Sequence, residues 1–518
     1  MIIRWILSFL MGLSLSAAIA DNDESLMMVG GNLPQPRNCR MGKIPSSVIT
    51  REFQSSNILN RSQSAEVTSM SHYQGKRRQL VVLAQFADVE FLDSDPYSVW
   101  NRIFNEENLN EGNYKGSVHD YFYDQSYGQF DVSFDLFYVQ LPSNAVKYAS
   151  NVFDDENSKF MVFDIVENLK QKDIDWGVYD WNDDGYVDQL LIIYAGLGMN
   201  DGGGTKTIWP HQWWLSFHTD SESQQPCDPC VVTDKQGHSF WIDCYCAVQE
   251  QGKTVSSFGT ICHEYSHCFG LPDFYYGGKS YLGAWDVMDS GNYNGGGYSP
   301  CGYSAQERMY MGWLSPTELA TPTYISAISS LSDQPEAYLV RNDGCSSEYY
   351  IIENRQKMSW DEYLPGSGLL VFHINFDLNE WNSAKLTPNH PNTTAGAGEL
   401  MKDQKHYYII SANNNTSVIS GVPSDWAYPY NDNSQLTNTS LPASILFNEN
   451  TDGSLLMNKS ITEMSITNGL GSFSFMNGTS DVNRPAVWTT EPTVLYELGN
   501  MKIIRCQDGN VKKIMIKK

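Results

Sequence analysis

Two histidines four residues apart, His263 and His267, flank Glu264 in the segment Thr260-Ile261-Cys262-His263-Glu264-Tyr265-Ser266-His267-Cys268-Phe269-Gly270-Leu271-Pro272-Asp273. On a helix, residues at this spacing share one face about 6 Å apart, so the two imidazoles can converge on one ion. Neutral imidazole suits zinc. Glu264 projects beside them, where a carboxylate can take a proton from zinc-bound water and pass it to a leaving amine. Gly270 can adopt the left-handed conformation that ends a helix, and Pro272 cannot readily continue it. The turn between them could return Asp273 as a third ligand, leaving the fourth position open as catalytic zinc requires. An Asp ligand adds negative charge, so the metal acidifies its water less than three neutral His would, and Glu264 matters more as a base.

Downstream, Trp285-Asp286-Val287-Met288-Asp289-Ser290-Gly291 places Met288 in a tight polar turn, where a methionine can lie beneath a histidine site. Tyr293, Tyr298 and Tyr303 follow it. A second metal is suggested by Asp180-Trp181-Asn182-Asp183-Asp184-Gly185-Tyr186-Val187-Asp188. Asp180, Asn182, Asp184 and Asp188 stand at positions 1, 3, 5 and 9 of a calcium loop, with the Tyr186 carbonyl at 7 and Gly185 at 6. Position 12 is Leu191 rather than Glu, so the loop is not a complete EF-hand. Cys39, between Asn38 and Arg40 with Arg37 close by, could occupy an open zinc position as a thiolate and keep a zymogen silent.

These groups need a scaffold. The run from Leu80 to Phe91, Leu-Val-Val-Leu-Ala-Gln-Phe-Ala-Asp-Val-Glu-Phe, reads as a buried strand and the run from Val187 to Gly196 as another. Met161, Ile165 and Leu169, with Val162 and Val166 beside them, recur at helical spacing between the two. Helices alternating with strands imply an α/β layer. Cys227, Cys230, Cys244 and Cys246 lie in a looser stretch, where export favours disulfides over a second zinc site. Beyond Pro322, Glu348–Gln356, Gly366–Asp377 and His406–Asn415 read as antiparallel strands. Residues 484–518 alternate again around Asp508-Gly509, a hairpin turn.

The 518 residues carry 34 Lys plus Arg against 60 Asp plus Glu, a net charge of −26, which argues against nucleic acid as a partner. With 41% hydrophobic and 13% aromatic residues, several folding units are expected and global disorder is not. Residues 1–20 combine Arg4, an apolar run and Ala18-Ile19-Ala20, the pattern of a signal peptide, so the protein is expected to be secreted or at the cell surface. No later run is long enough to span a membrane. Residues 21–76 read as a pro-segment or leader, ending near the basic cluster Lys76-Arg77-Arg78.

The zinc helix followed by the Met288 turn resembles the immune inhibitor A family of secreted bacterial metzincin zinc metallopeptidases. The likeness extends to residues 80–91, 117–132, 208–211, 311–314 and the strands after 348, covering roughly residues 77–478. It implies a zinc endopeptidase with ligands His263, His267 and Asp273, base Glu264 and Met-turn Met288, acting on proteins or peptides. The expected architecture is an α/β metzincin-type domain at 77–322, with a mixed sheet and an active-site helix. A β-rich domain follows at 323–478, then a linker and short β unit at 479–518 that weakly resembles a sorting signal. The competing reading is a calcium-stabilised adhesin or glycan-binding module with a catalytically silent zinc site. Intact Glu264 argues against it.

Overall fold

The computed structural model describes residues 73–150, 156–220, 223, 225–276, 279–280, 282–376, 407–414 and 424–477, together with the backbone of three strands at 493–498, 501–505 and 511–515. Its organising element is a five-stranded sheet of order β2-β1-β3-β5-β4. The strands are β1 (Gly75–Gln85), β2 (Phe130–Gln140), β3 (Leu190–Leu197), β4 (His211–Trp214) and β5 (Cys244–Gln251). Strands β1, β2, β3 and β5 run parallel, whereas β4 is an antiparallel edge strand on β5. A parallel sheet must be covered on both faces. Leu80 through Ala84 are accordingly all fully buried, which is why that stretch of sequence does not alternate.

Helices cover both faces. Helices α1 (Pro96–Asn105) and α2 (Val118–Gln125) connect β1 to β2, α3 (Ser158–Leu169) connects β2 to β3, and α4 (Ser257–His267) follows β5. The expected apolar stripe of α3 is buried in full. Helix α4 lies on one face, where Tyr265 Oη donates to Gln79 Oε1 of β1 at 3.1 Å and the Tyr265 ring meets Phe122 of α2 edge-on at 5.0 Å. Helix α3 lies on the other, with Ser158 Oγ 2.7 Å from Tyr245 Oη of β5. Helix α5 (Ala305–Tyr310) starts from a capping box between Ser304 and Glu307.

Strands β6 (Ala337–Asn342), β7 (Cys345–Arg355), β8 (Gly368–Asn375) and β9 (Tyr407–Ile409) pair antiparallel. A three-stranded antiparallel sheet of Thr323–Ile328, Leu470–Phe475 and Ile461–Thr467 packs against them. Strand alternation sends the residues of β7 and β8 to two cores. Tyr350, Ile352, Leu369 and Val371 face the small sheet. Tyr349, Ile351, Leu370 and Phe372 join the core of β1 and α4. The β layer thus shares the core of β1 and α4 on one face and forms a second core with the small sheet on the other.

Other expectations need correction. The folded unit begins by Tyr73, which is buried and whose carbonyl accepts from Trp313 Nε1 at 2.8 Å. Lys76-Arg77-Arg78, read as the basic end of the leader, belong to β1 and pair with Asp131, Val132 and Ser133. The exposed half of that strand has no apolar signature; backbone pairing and the ion pair of Arg78 with Asp135 at 2.7 Å define it. The cysteine staple does not form: Cys227, Cys230, Cys244 and Cys246 are thiols. Cys244 and Cys246 sit inside β5 of the main sheet, not in a loop, and burial raises the Cys246 thiol, with the Glu264 carboxylate adding to it. The expected signal peptide, Cys39, the expected linker and Asp508-Gly509 lie outside the described residues, although 501–505 and 511–515 do pair antiparallel on either side of that dipeptide. Among the described residues no helix is long and apolar enough to cross a membrane.

Candidate active site

Helix α4 carries His263, Glu264 and His267 and packs closely at its start. Ser256 caps it, its hydroxyl accepting from Phe258 N at 3.2 Å. A Cβ on Gly259 would stand 1.9 Å from the Asn292 carbonyl oxygen, so only glycine lets the helix lie against the segment after the Met288 turn. At the other end, Gly270 takes φ +83, and its N–H bonds the His267 carbonyl at 2.9 Å. The expected left-handed stop is there, and it returns the chain to Asp273.

The structure brings His263, His267 and Asp273 together, their ligand atoms all within 4.8 Å of one another. Asp273 Oδ1 is 3.1 Å from His263 Nε2 and 3.3 Å from His267 Nε2. Both rings are held from behind. His263 Nδ1 is 2.8 Å from the Val287 carbonyl, and His267 Nδ1 is 2.8 Å from the Leu271 carbonyl. A carbonyl can only accept, so each Nδ1 carries the hydrogen and each Nε2 faces Asp273, the arrangement that orients histidine metal ligands. Asp273 is 4% exposed, yet among the described residues no donor besides the two facing rings reaches its oxygens, and Glu264 Oε2 is likewise unmatched. Buried polar atoms are rarely left so. Two imidazoles and a carboxylate with unfilled, converging lone pairs fit a tetrahedral zinc with one position open.

Electrostatics agree. Burial lowers His263, but the Asp273 carboxylate outweighs it and the ring rises to about 9. Burial lowers His267 too, and Asp273 again wins. Burial raises Asp273, but the two rings hold it below the usual carboxylate range. Without metal the cluster holds its negative charge by keeping a proton, and a cation can take that place. Burial raises Glu264, partly offset by His263 and His267, so its carboxylate is a better proton acceptor than a free one. Glu264 Oε2 is 3.9 Å from His267 Nε2.

Met288 is fully buried in its turn. Its amide bonds Asp286 Oδ1 at 2.8 Å and its carbonyl accepts from Phe274 N at 2.9 Å, tying the turn to the residue after Asp273. Of the three tyrosines, Tyr303 is buried with its hydroxyl on Ser266 Oγ, and Tyr298 packs edge-on against Tyr114 at 5.1 Å. Tyr293 is 44% exposed, and desolvation of its hydroxyl raises it, with the Glu264 carboxylate adding to the shift. Tyr275 was not anticipated. It stacks on His263 at 6.2 Å and lies beside Asp273 and Glu264, and its only sequence signal was adjacency to the third ligand.

The proposed calcium loop is closed by its own backbone. Asp180 accepts from Asp184 N at 3.0 Å and Gly185 N at 2.8 Å, Asp188 accepts from Trp181 N at 2.5 Å, and Asp184 accepts from Tyr186 N at 2.9 Å. Asn182 Nδ2 donates to Asp184 at 3.2 Å. Among the described residues, His263, His267 and Asp273 gather their ligand atoms within 4.8 Å of one another.

Comparison with known proteins gives this geometry a relation. Residues 85–314 match the family described as immune inhibitor A peptidase M6, catalytic domain. The chain is 26% identical to Immune inhibitor A of Bacillus thuringiensis subsp. alesti over 281 residues, 45% of this chain and 39% of that protein. It is 25% identical to the pre-pro-metalloprotease PrtV of Vibrio cholerae serotype O1 (strain M66-2) over 226 residues, 38% of this chain and 23% of that protein. The matched regions span well under half the length of these relatives.

Proposed function

We propose that this chain, whose residues 85–314 belong to the immune inhibitor A peptidase family, is an exported zinc endopeptidase that hydrolyses peptide bonds in proteins. The observation that carries the reading is the convergence of His263, His267 and Asp273, with Asp273 buried and facing only the two rings, beside an unmatched Glu264. The order β2-β1-β3-β5-β4 with an antiparallel edge, and a buried methionine turn behind His263, support a metzincin-type arrangement. Zinc, when bound by the three side chains, supplies a Lewis acid that polarises a carbonyl and acidifies water. Glu264 accepts the proton of the attacking water and returns it to the departing amine. The outer edge of β4 holds the substrate extended by strand addition. Of the three tyrosines, Tyr293 is the one whose hydroxyl is raised in part by the Glu264 carboxylate, and we assign it to donate to the developing oxyanion.

The export signal at 1–20, the leader and the Cys39 latch rest on sequence alone. Calcium at the loop of Asp180 rests on donor spacing. It predicts that metal-stripped protein gains thermal stability when calcium is added in the micromolar to millimolar range, because a ligand of the native state stabilises it by mass action. An unchanged melting temperature would retire that site. The peptidase reading is tested by incubating purified protein with denatured proteins, with and without a chelator, and mapping products by mass spectrometry. Chelator-sensitive peptide products are expected. Zinc bound without any cleavage would favour the silent-site adhesin.

A further inference from the structure

Arg355 ends β7, in the β layer beyond the family-matched span, and is fully buried. Nε and Nη2 grip Asp361 as a fork, both at 2.8 Å. Nη1 reaches Glu353 Oε1 at 3.2 Å and the Trp285 carbonyl at 3.5 Å, and Nη2 reaches the Gly302 carbonyl at 3.0 Å. A guanidinium has five N–H donors in a fixed plane, and these five acceptors match them. Asp361 Oδ1 in turn accepts from Gly302 N at 2.8 Å, and Glu353 Oε2 from Ala305 N at 2.7 Å. The β layer therefore holds both ends of the segment 285–302, which contains the Met288 turn. Val287, two residues after Trp285, provides the carbonyl that fixes His263.

Burying a cation between two carboxylates costs desolvation that apolar packing would avoid, so such a cluster is better explained by the geometry it imposes than by stability. We propose that Arg355 is a positioning residue for the metal site, fixing the Trp285–Met288 turn whose Val287 carbonyl sets the tautomer and ring orientation of His263. The inference rests on the zinc reading above. It places part of the catalytic apparatus about forty residues beyond the matched family span, which ends at 314.

The test uses the full chain. Zinc affinity is measured by competition with a chromogenic chelator for wild type, Arg355→Lys, Asp361→Asn and a control, Glu348→Gln. Glu348 is an equally buried partner, 2.7 Å from His373, but lies in the separate core against the small sheet. A lysine keeps the charge but cannot span Asp361, Trp285 and Gly302 together. Arg355→Lys should weaken zinc binding roughly ten- to a hundredfold, the usual effect of losing an outer partner of a metal ligand. Asp361→Asn, which removes a charge and keeps the shape, should do so more mildly and covers the case in which Arg355→Lys fails to fold. Glu348→Gln should lower the melting temperature and leave zinc affinity unchanged. Zinc affinity within twofold of wild type in a folded Arg355→Lys or Asp361→Asn protein would overturn the inference while leaving the zinc reading intact. Failure of wild type to take up zinc would instead overturn the reading, and the inference with it.

Discussion

Replacing Glu264 by Gln leaves the rings, Asp273 and their backbone anchors in place and removes only the proton-accepting oxygen. Glu264→Gln should keep zinc, measured by metal analysis, and lose roughly a hundred- to ten-thousandfold in turnover. Near wild-type cleavage would reassign the base. A pH prediction follows from the metal-free cluster. His263 rises from 6.5 to about 9, so its contribution to the apo fold is complete below 6.5 and lost as pH climbs through 9. Asp273 is lowered from 3.8, so its contribution is present above 3.8 and lost as pH falls through the depressed value. Melting of metal-stripped protein should therefore fall between pH 7 and 10 by more in wild type than in Asp273→Asn, where the rings lose their partner; equal falls would contradict the cluster. At this scale the sequence was readable wherever side-chain type and spacing carry the chemistry, as in His263, Glu264 and His267. Val287 and Leu271 act through carbonyls, which every residue has, and no side-chain pattern could announce them.

At the scale of elements, α4 is placed by a residue with no side chain. Gly259→Ala would push a methyl to 1.9 Å from the Asn292 carbonyl, a backbone atom that cannot rotate away. The helix must shift, so the variant should lose about 1–3 kcal/mol or more in urea unfolding, the range for overpacked cores. Because the shift moves His263 relative to Val287, zinc affinity should fall as well. A variant with wild-type stability and affinity would show that helix and turn are not in the contact described. The strand cores at 80–85 and 190–196 and the helix stripe of α3 were legible because burial imposes their patterns directly, whereas 86–91 leave the strand and Val187 pairs with Ile242 in a separate small sheet. The cysteines were not, because disulfide pairing depends on which thiols meet in space, and Cys246 is carried by β5 beneath α4 rather than toward Cys227 and Cys230. The start of β1 was missed for a related reason: its exposed residues are held by pairing with β2 rather than by burial.

For the whole molecule, the unit that folds is larger than the family span. Ala337, Leu339, Tyr349, Ile351, Leu370, Phe372 and Tyr407 from the β layer sit in one core with Met288, Tyr303 and Trp313. Ending the chain at residue 322 would strip that cover and expose a contiguous apolar face far larger than soluble monomers tolerate. The protein truncated there should aggregate or show no cooperative unfolding. The terminal strands behave differently in topology. Residues 493–498, 501–505 and 511–515 pair only with one another in a sheet of their own, so ending the chain at 477 cuts no ladder of the two larger sheets. That truncation should melt within a few degrees of the full chain, retain zinc and cleave the same substrates. If it does so in vitro yet fails to leave the cell, the terminal unit acts as an export address, which its alternating strands and Lys-rich end suggest. A markedly lower melting temperature would show instead that the unit docks on the β layer and shares in its stability. Normal export of a fully stable truncated enzyme would leave the unit neither role.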